Sequence, residues 1–337
     1  MIREISVHEA IGRVLFHDIT PGNDSGRLFK KGHIIVATDI PRLLDIGKDN
    51  LYVLDLSAGF VHENEAAVRI ALAVAGPGLR LSEPSEGKVM LTAAVDGLLK
   101  INVEALGSIN AIEEIALATL HSNRPVAEGV PVAGTRIIPL FTDEARLQRI
   151  EEIGKAHHPI VTIRPFSRMK VGLITTGNEV YHGRTQDQFS PVIQAKFKAF
   201  GSMILRQMLV SDSVSMTKQA IETLIAEGAE MIVATGGMSV DPDDRTPASI
   251  RAAGAEVVTY GSPTFPGSMF MLAYLGKVPI LGVPGCAMFN KATVLDMVLP
   301  RLLAGERLTR KDFIVLGHGG LCSACSDCRF PECSFGK

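Results

Sequence analysis

The sequence predicts an α/β protein. Its main part is a mainly parallel sheet flanked by helices, preceded by smaller α+β modules and followed by a cysteine-rich tail. Three observations lead there. From Met169 onward, short β-rich apolar runs alternate with helical segments, which implies right-handed crossovers between parallel strands. Three of those runs end in glycine-bearing loops: Thr175-Thr176-Gly177-Asn178-Glu179, Thr235-Gly236-Gly237-Met238-Ser239 continuing to Pro247, and Gly282-Val283-Pro284-Gly285. Four of the five cysteines fall close together near the C-terminus.

At 337 residues, 46% hydrophobic and 21% charged, the chain is long enough for several cores. The expected division is 1–58, a small β-rich module; 59–166, an α+β module; 167–306, the α/β domain; and 307–337, the tail. A net charge of -2 without a basic stripe argues against non-specific nucleic-acid binding. Charges interrupt Met1-Ile2-Arg3-Glu4-Ile5-Ser6, so no signal peptide is expected there. The apolar runs are too short to span a bilayer, and a cytoplasmic location follows as the expectation.

In the first module, 34–36 and 51–54 read as strands, 22–26 (Gly-Asn-Asp-Ser-Gly) as a turn cluster, and 39–47 as a helix. Asp39 or a neighbour caps that helix and Gly47 stops it. In the second, an alanine-rich helix over 63–75 closes at Gly76-Pro77-Gly78. Strands over 88–94 and 98–103, a helix over 111–120 and a punctuated strand region over 126–140 follow. A polar helix over 143–155 and a strand over 160–163 precede the linker Arg164-Pro165-Phe166-Ser167-Arg168. The main domain takes strands over 171–175, 204–210, 231–235, 256–260 and 278–283, with helices over 191–200, 216–227, 247–253 and 288–303. Ser190-Pro191 and Thr246-Pro247 each offer a capping hydroxyl followed by proline at the first helical position.

In an open parallel sheet, ligands bind beyond the carboxyl ends of the strands. Glycine lets backbone approach a ligand, and free N–H groups at a following helix start attract anions, so the loops suit a phosphorylated small molecule. Asp241, Asp243 and Asp244 would repel phosphate unless a divalent cation intervened. Magnesium fits, because it takes carboxylate, phosphate and water oxygens. The simpler alternative is that these acids favour a helix amino terminus. Glu179 is a candidate general base, metal ligand or hydrogen-bond acceptor, against the alternative that Asn178 and Glu179 satisfy loop backbone. Asp212 lies at another strand end and has a similar claim.

These loops, in this order and spacing, resemble the molybdopterin-binding domain shared by molybdopterin molybdotransferases and molybdopterin adenylyltransferases, over residues 168–305. The segment 132–140 looks like a further feature of such proteins. The resemblance implies a pterin and phosphate ligand, molybdopterin or its adenylylated form, held with Mg2+. It implies contacts from Thr176, Gly177, Asn178, Asp212, Thr235, Gly236, Gly237, Ser239, Asp241, Thr246, Pro284 and Gly285. Glu179 matches an active-site acid of the molybdotransferases. Asp244 matches the aspartate of the Asp-x-Thr-Pro segment of the adenylyltransferases. The activity implied is insertion of molybdate. Molybdoenzymes or other cofactor-assembly proteins are the implied partners, and a homodimer the implied assembly. A non-catalytic cofactor carrier or sensor, and an adenylyltransferase, are the alternatives. Two departures stand out. The family's Lys-Pro-Gly-Lys-Pro-like segment is here Thr264-Phe265-Pro266-Gly267-Ser268-Met269, and its Pro-Gly-Asn-Pro is Pro284-Gly285-Cys286-Ala287. Losing two cations bears on turnover more than on binding.

The tail reads Cys322-x2-Cys325-x2-Cys328-x4-Cys333. Such density in a cytosolic chain points to metal ligation rather than disulfides, with a zinc site or an iron–sulfur cluster as the candidates and an unstructured, reducible tail as the alternative. His318 is an alternative ligand, His157-His158 a solvated turn, and Cys286 either a small buried residue or a soft ligand.

Overall fold

The computed structural model describes residues 2–20, 28–54 and 59–337; the turn cluster expected at 22–26 lies outside them. Ile2–Ser6, Asn50–Leu54 and Val14–Leu15 form a small antiparallel sheet in that spatial order. Helix Asp39–Asp45 covers it, and Leu15, Leu43, Leu51 and Val53 fill the space between. The strand expected at 34–36 is only a single bridge, Ile34 to Val14. Asp39 explains why: its carboxylate takes the Val36 N–H at 3.0 Å and pairs with His33 Nε2 at 2.7 Å, turning the chain into the helix.

A second core joins helices Glu63–Val74 and Glu144–His157 to a four-stranded antiparallel sheet. Arg69 ties the two helices, with Nη1 and Nη2 on Glu144 at 2.7 and 2.8 Å and Nε on Glu151 at 2.7 Å. The helix expected at 111–120 is not there. The helix is Val103–Asn110, and Ile115–Thr119 is a strand. The Asn102 side chain caps the helix by accepting the Ala105 N–H, and Asn110 exchanges two hydrogen bonds with the Leu117 backbone. Ile115 and Leu117 alternate with less buried neighbours, as a half-buried strand requires.

The C-terminal half is built on a six-stranded sheet whose strands are labelled β1 to β6 along the chain. They are β1 Lys170–Thr176, β2 Met203–Val210, β3 Met231–Thr235, β4 Glu256–Tyr260, β5 Met271–Leu275 and β6 Val278–Val283. Their spatial order is β2-β1-β3-β6-β5-β4. The β2-β1-β3-β6 ladders are parallel, and β5 pairs antiparallel with both β6 and β4. The mainly parallel α/β sheet is therefore present, with one reversed strand that the sequence pattern did not reveal. Side chains alternate between two apolar layers. Val171, Leu173, Val233 and Leu281 face helices Phe189–Lys198 and Val294–Leu303, while Ile174, Ile232, Ala234 and Ile280 face helices Val214–Ala226 and Thr246–Ala252.

Three helix starts differ from expectation. Asp187 rather than Ser190 serves the first: its carboxylate takes the Phe189 and Ser190 N–H groups, and the Ser190 hydroxyl donates to it as well. Thr246 lies inside its helix and turns its hydroxyl onto the Gly236 carbonyl. The helix expected at 288–303 is a 3-10 turn, Gly285–Met288, followed by a separate helix that Thr293 and Asp296 open with a capping box. Behind the sheet, Glu306 accepts from Lys100 at 2.6 Å and from Arg301 at 2.7 Å, joining this half to the second core. Among the described residues no helix is long and apolar enough to cross a membrane.

Candidate functional site

Three loops that follow parallel strands meet at one end of the sheet. After β1, the Asn178 N–H donates to Asp212 Oδ2 at 2.9 Å and the Asp212 N–H to Asn178 Oδ1 at 3.4 Å, which latches the ends of β1 and β2 together. The Glu179 carboxylate folds back over Gly177; a Cβ on that glycine would lie 2.8 Å from Glu179 Oε1. After β3, Gly236 and Gly237 take φ of +84° and +56°. The Gly236 backbone passes so close to the Thr176 carbonyl that any Cβ there would overlap it.

Thr246 locks this approach. Its hydroxyl donates to the Gly236 carbonyl at 2.9 Å and lies 3.1 Å from Thr176 Oγ1, so the Thr176 hydroxyl donates in turn. Thr176, Thr235 and Thr246 are buried, and they hold the loops together from beneath. The acidic run is ordered by its own backbone: the Asp241 N–H donates to Asp244 Oδ2 at 2.9 Å and the Asp243 N–H to Asp241 Oδ1 at 3.2 Å.

A cavity of about 580 Å³ opens between these loops. Gly236, Gly237, Ser239, Asp244, Pro284 and Gly285 line it, together with Cys286, Phe189 and the 265–269 loop. Thr176, Gly177, Asn178, Glu179, Asp212, Thr235, Asp241 and Thr246 do not. Of these, Glu179 and Asp212 belong to a carboxylate group at the rim. Burial pushes the Asp212 carboxyl above its usual range, and the nearby charges of Glu179, Asp243 and Asp244 push the same way, against the Asn178 N–H. Among the described lining residues there is no Lys or Arg, so Asp244 is the charged side chain facing the cavity. Burial also raises the Cys286 thiol above its usual range.

Asp187 was missed at the sequence level. Besides capping its helix, it accepts from Thr175 Oγ1 at 3.2 Å and from the Gln207 amide, so it joins β1, β2 and the segment carrying Phe189. Burial would raise its pKa, but the Ser190 hydroxyl, the Phe189 and Ser190 N–H groups and Gln207 outweigh that and hold it below the usual carboxylate range. Its position just before a helix carried the signal of an Asp cap.

The tail is folded. Phe335 packs on Ala292 and Met297, and the four cysteines are among the residues that line a second cavity, of about 270 Å³. All four are free thiols. Among the described residues no three His, Cys, Asp or Glu side chains gather closely enough to hold a metal ion, in the tail or in the acidic loops.

Residues 172–304 match the family described as "Probable molybdopterin binding domain", and residues 4–55 match one described as a domain of unknown function. A CinA-like protein of Mycobacterium sp. (strain JLS) is 32% identical over 90 residues, 26% of this chain and 21% of that protein. A molybdenum cofactor biosynthesis bifunctional protein of Synechococcus elongatus is 32% identical over 83 residues, 25% of this chain and 26% of that one. The molybdopterin molybdenumtransferase of Bacillus subtilis is 24% identical over 198 residues, 53% of this chain and 44% of that one. The chain thus spans less than half the length of these relatives.

Proposed function

We propose, for a chain whose residues 172–304 match the molybdopterin-binding family, that the strand-end cavity binds molybdopterin or its adenylylated form, and that the protein acts in molybdenum cofactor biosynthesis by helping insert molybdate. The observation that carries this reading is the cavity itself. It lies at the carboxyl ends of parallel strands, within the matched stretch, and it is walled by glycine backbone on one side and bordered by carboxylates on another. Gly236, Gly237 and Gly285 let a phosphate approach the main chain, and Phe189, Met238 and Met269 offer apolar and aromatic surface to a ring.

Carboxylates grouped this closely, with the charges of Glu179, Asp243 and Asp244 raising the proton affinity of Asp212, accommodate a phosphate ligand only with a cation between them. Mg2+ needs one or two carboxylates when phosphate and water supply its other oxygens, so the lack of a three-residue ligand set is compatible with it. Asp244 and Asp243 are the residues that would hold it, and it would supply charge neutralisation. Glu179, folded over Gly177, would orient a polar group of the ligand, and Asp212 would fix the loop carrying Glu179. The Glu179→Ala, Asp244→Ala double variant is expected to weaken Mg2+-supported binding of molybdopterin more than tenfold, measured by titration under anaerobic conditions; unchanged affinity would remove these acids from the site. Because a proton on the raised Asp212 carboxyl weakens its hold on the Asn178 N–H and so on the loop carrying Glu179, Mg2+-supported binding should also weaken as the pH falls into the acidic range.

A second reading, a non-catalytic carrier, is favoured by one observation: the lining contributes no cation where a transferring group would need one. Ser268→Lys restores a charge in that wall. It is expected to tighten binding of the phosphorylated ligand about five- to tenfold at low salt, an effect that shrinks as salt is raised. The two readings separate on AMP release from adenylylated molybdopterin with Mg2+ and varied molybdate. Release that depends on molybdate supports insertion, tight binding without release supports the carrier, and no binding rejects both.

A further inference from the structure

We propose that the C-terminal cavity is the seat of a multi-iron iron–sulfur cluster ligated by Cys322, Cys325, Cys328 and Cys333. Size argues first. A single zinc ion holds its sulfurs at about 2.3 Å and leaves no void between them. Here the four cysteines line one cavity of about 270 Å³, and no three of them gather closely enough to hold a single ion. Such a space suits a polyatomic inorganic core.

Charge argues second. The described lining includes Lys291 and Arg329 and no Asp or Glu, which suits an anionic occupant such as a cluster with four thiolates. Surroundings argue third: Phe289, Phe330 and Phe335 contribute apolar wall, and Phe335 is buried. The Cys-x2-Cys-x2-Cys spacing is also that of cluster-binding loops, though here the fourth cysteine faces the same cavity as the other three.

The walls are already fixed. Phe335 is anchored on Met297, the Gly336 N–H donates to the Gly319 carbonyl at 2.9 Å, and the Cys322 N–H donates to the Phe265 carbonyl at 2.8 Å. Assembly would form four sulfur–iron bonds and release the four thiol protons to solvent. Ferrous and ferric iron with sulfide, supplied from outside the protein, complete the core without oxidising or reducing the chain.

The proposal is independent of what the strand-end cavity binds, because its readout is metal content. The full chain is reconstituted anaerobically with ferrous and ferric iron and sulfide, desalted, and assayed for iron, acid-labile sulfide, zinc and visible absorption. The expected result is about four irons and as many sulfides per chain, with a visible band bleached by dithionite. The four tail thiols should be shielded from alkylation while Cys286 is not. Cys325→Ser and Cys328→Ser, both at exposed positions, should lose most of the iron, whereas Cys286→Ser should keep it. One zinc per chain with no iron, iron unchanged in both tail variants, or alkylation of all four tail thiols after reconstitution would overturn it.

Discussion

Gly236→Ala is expected to lower stability by about 3 kcal/mol and to abolish ligand binding in the strand-end cavity. Two costs combine. At φ of +84°, an alanine pays about 1–2 kcal/mol for left-handed backbone alone. The new Cβ would also overlap the Thr176 carbonyl and stand 2.9 Å from the Thr176 hydroxyl, so the loops after β1 and β3 must separate. Separation breaks the Thr246 hydroxyl's bond to the Gly236 carbonyl and moves the backbone that walls the cavity. Gly183→Ala provides the control, since Gly183 has φ of +70° but open space around it. The control should show the backbone cost without the loss of binding. Thermal unfolding should place the Gly236 variant roughly 6–12 °C below the parent, with the Gly183 variant between. Equal melting temperatures for the two variants, with binding retained, would refute the close-approach argument.

Glu306→Gln is expected to cost about 2–3 kcal/mol at neutral pH, because it removes the charge shared by two largely buried cations. Glu306 is 9% exposed, Arg301 13% and Lys100 22%. Burial pushes the Glu306 carboxyl up, but the Lys100 and Arg301 bonds pull it further down, so it ends below the usual carboxylate value. The sign follows. A carboxylate with a depressed folded pKa contributes its full stability above its unfolded pKa, about 4.3, and loses it as the pH falls through the lower folded value. Asp312, held down by the Thr309 N–H and Arg301, runs the same way. Urea unfolding of parent and variant should therefore differ most at pH 7 and converge below about pH 4. A difference that does not change with pH would mean that Glu306 acts through packing alone.

The parts of this fold legible in the sequence were those where local pattern and tertiary role coincide. The strands β1, β3 and β6 read correctly because both of their faces are buried, which makes them continuous apolar runs ending at glycine. The helix at 214–226 read correctly to within two residues because Ser213 caps it in the ordinary way. Failures cluster where a side chain acts at a distance. Asp187 displaced Ser190 as a cap, and Thr246, which looked like a cap, was drawn into the gap between two loops. The segment 111–120 has apolar residues at both helical and strand spacing, and Asn110, folding onto Leu117, decided for a turn and a strand. In the candidate site, the glycine and acidic loops were visible, but the division between lining and supporting residues was not. Thr176 and Thr246 have the chemistry of ligand contacts, and only their burial reveals that they face each other.

The reversed strand β5 bears on how freely this site can change. A strand running against its neighbours offers its beginning where they offer their ends, so the 261–270 connection between β4 and β5 arrives beside the parallel loops without any crossover helix. Such a link between adjacent antiparallel strands carries little of the domain's architecture. Its composition can drift while the apolar layers on either side stay intact. That is the segment where Phe265 and Ser268 stand in place of the lysines typical of the family it resembles. The edge of the pocket that can be rewritten most cheaply is thus the one that has no charge here, and preference among related ligands can diverge there with the rest of the sheet unchanged.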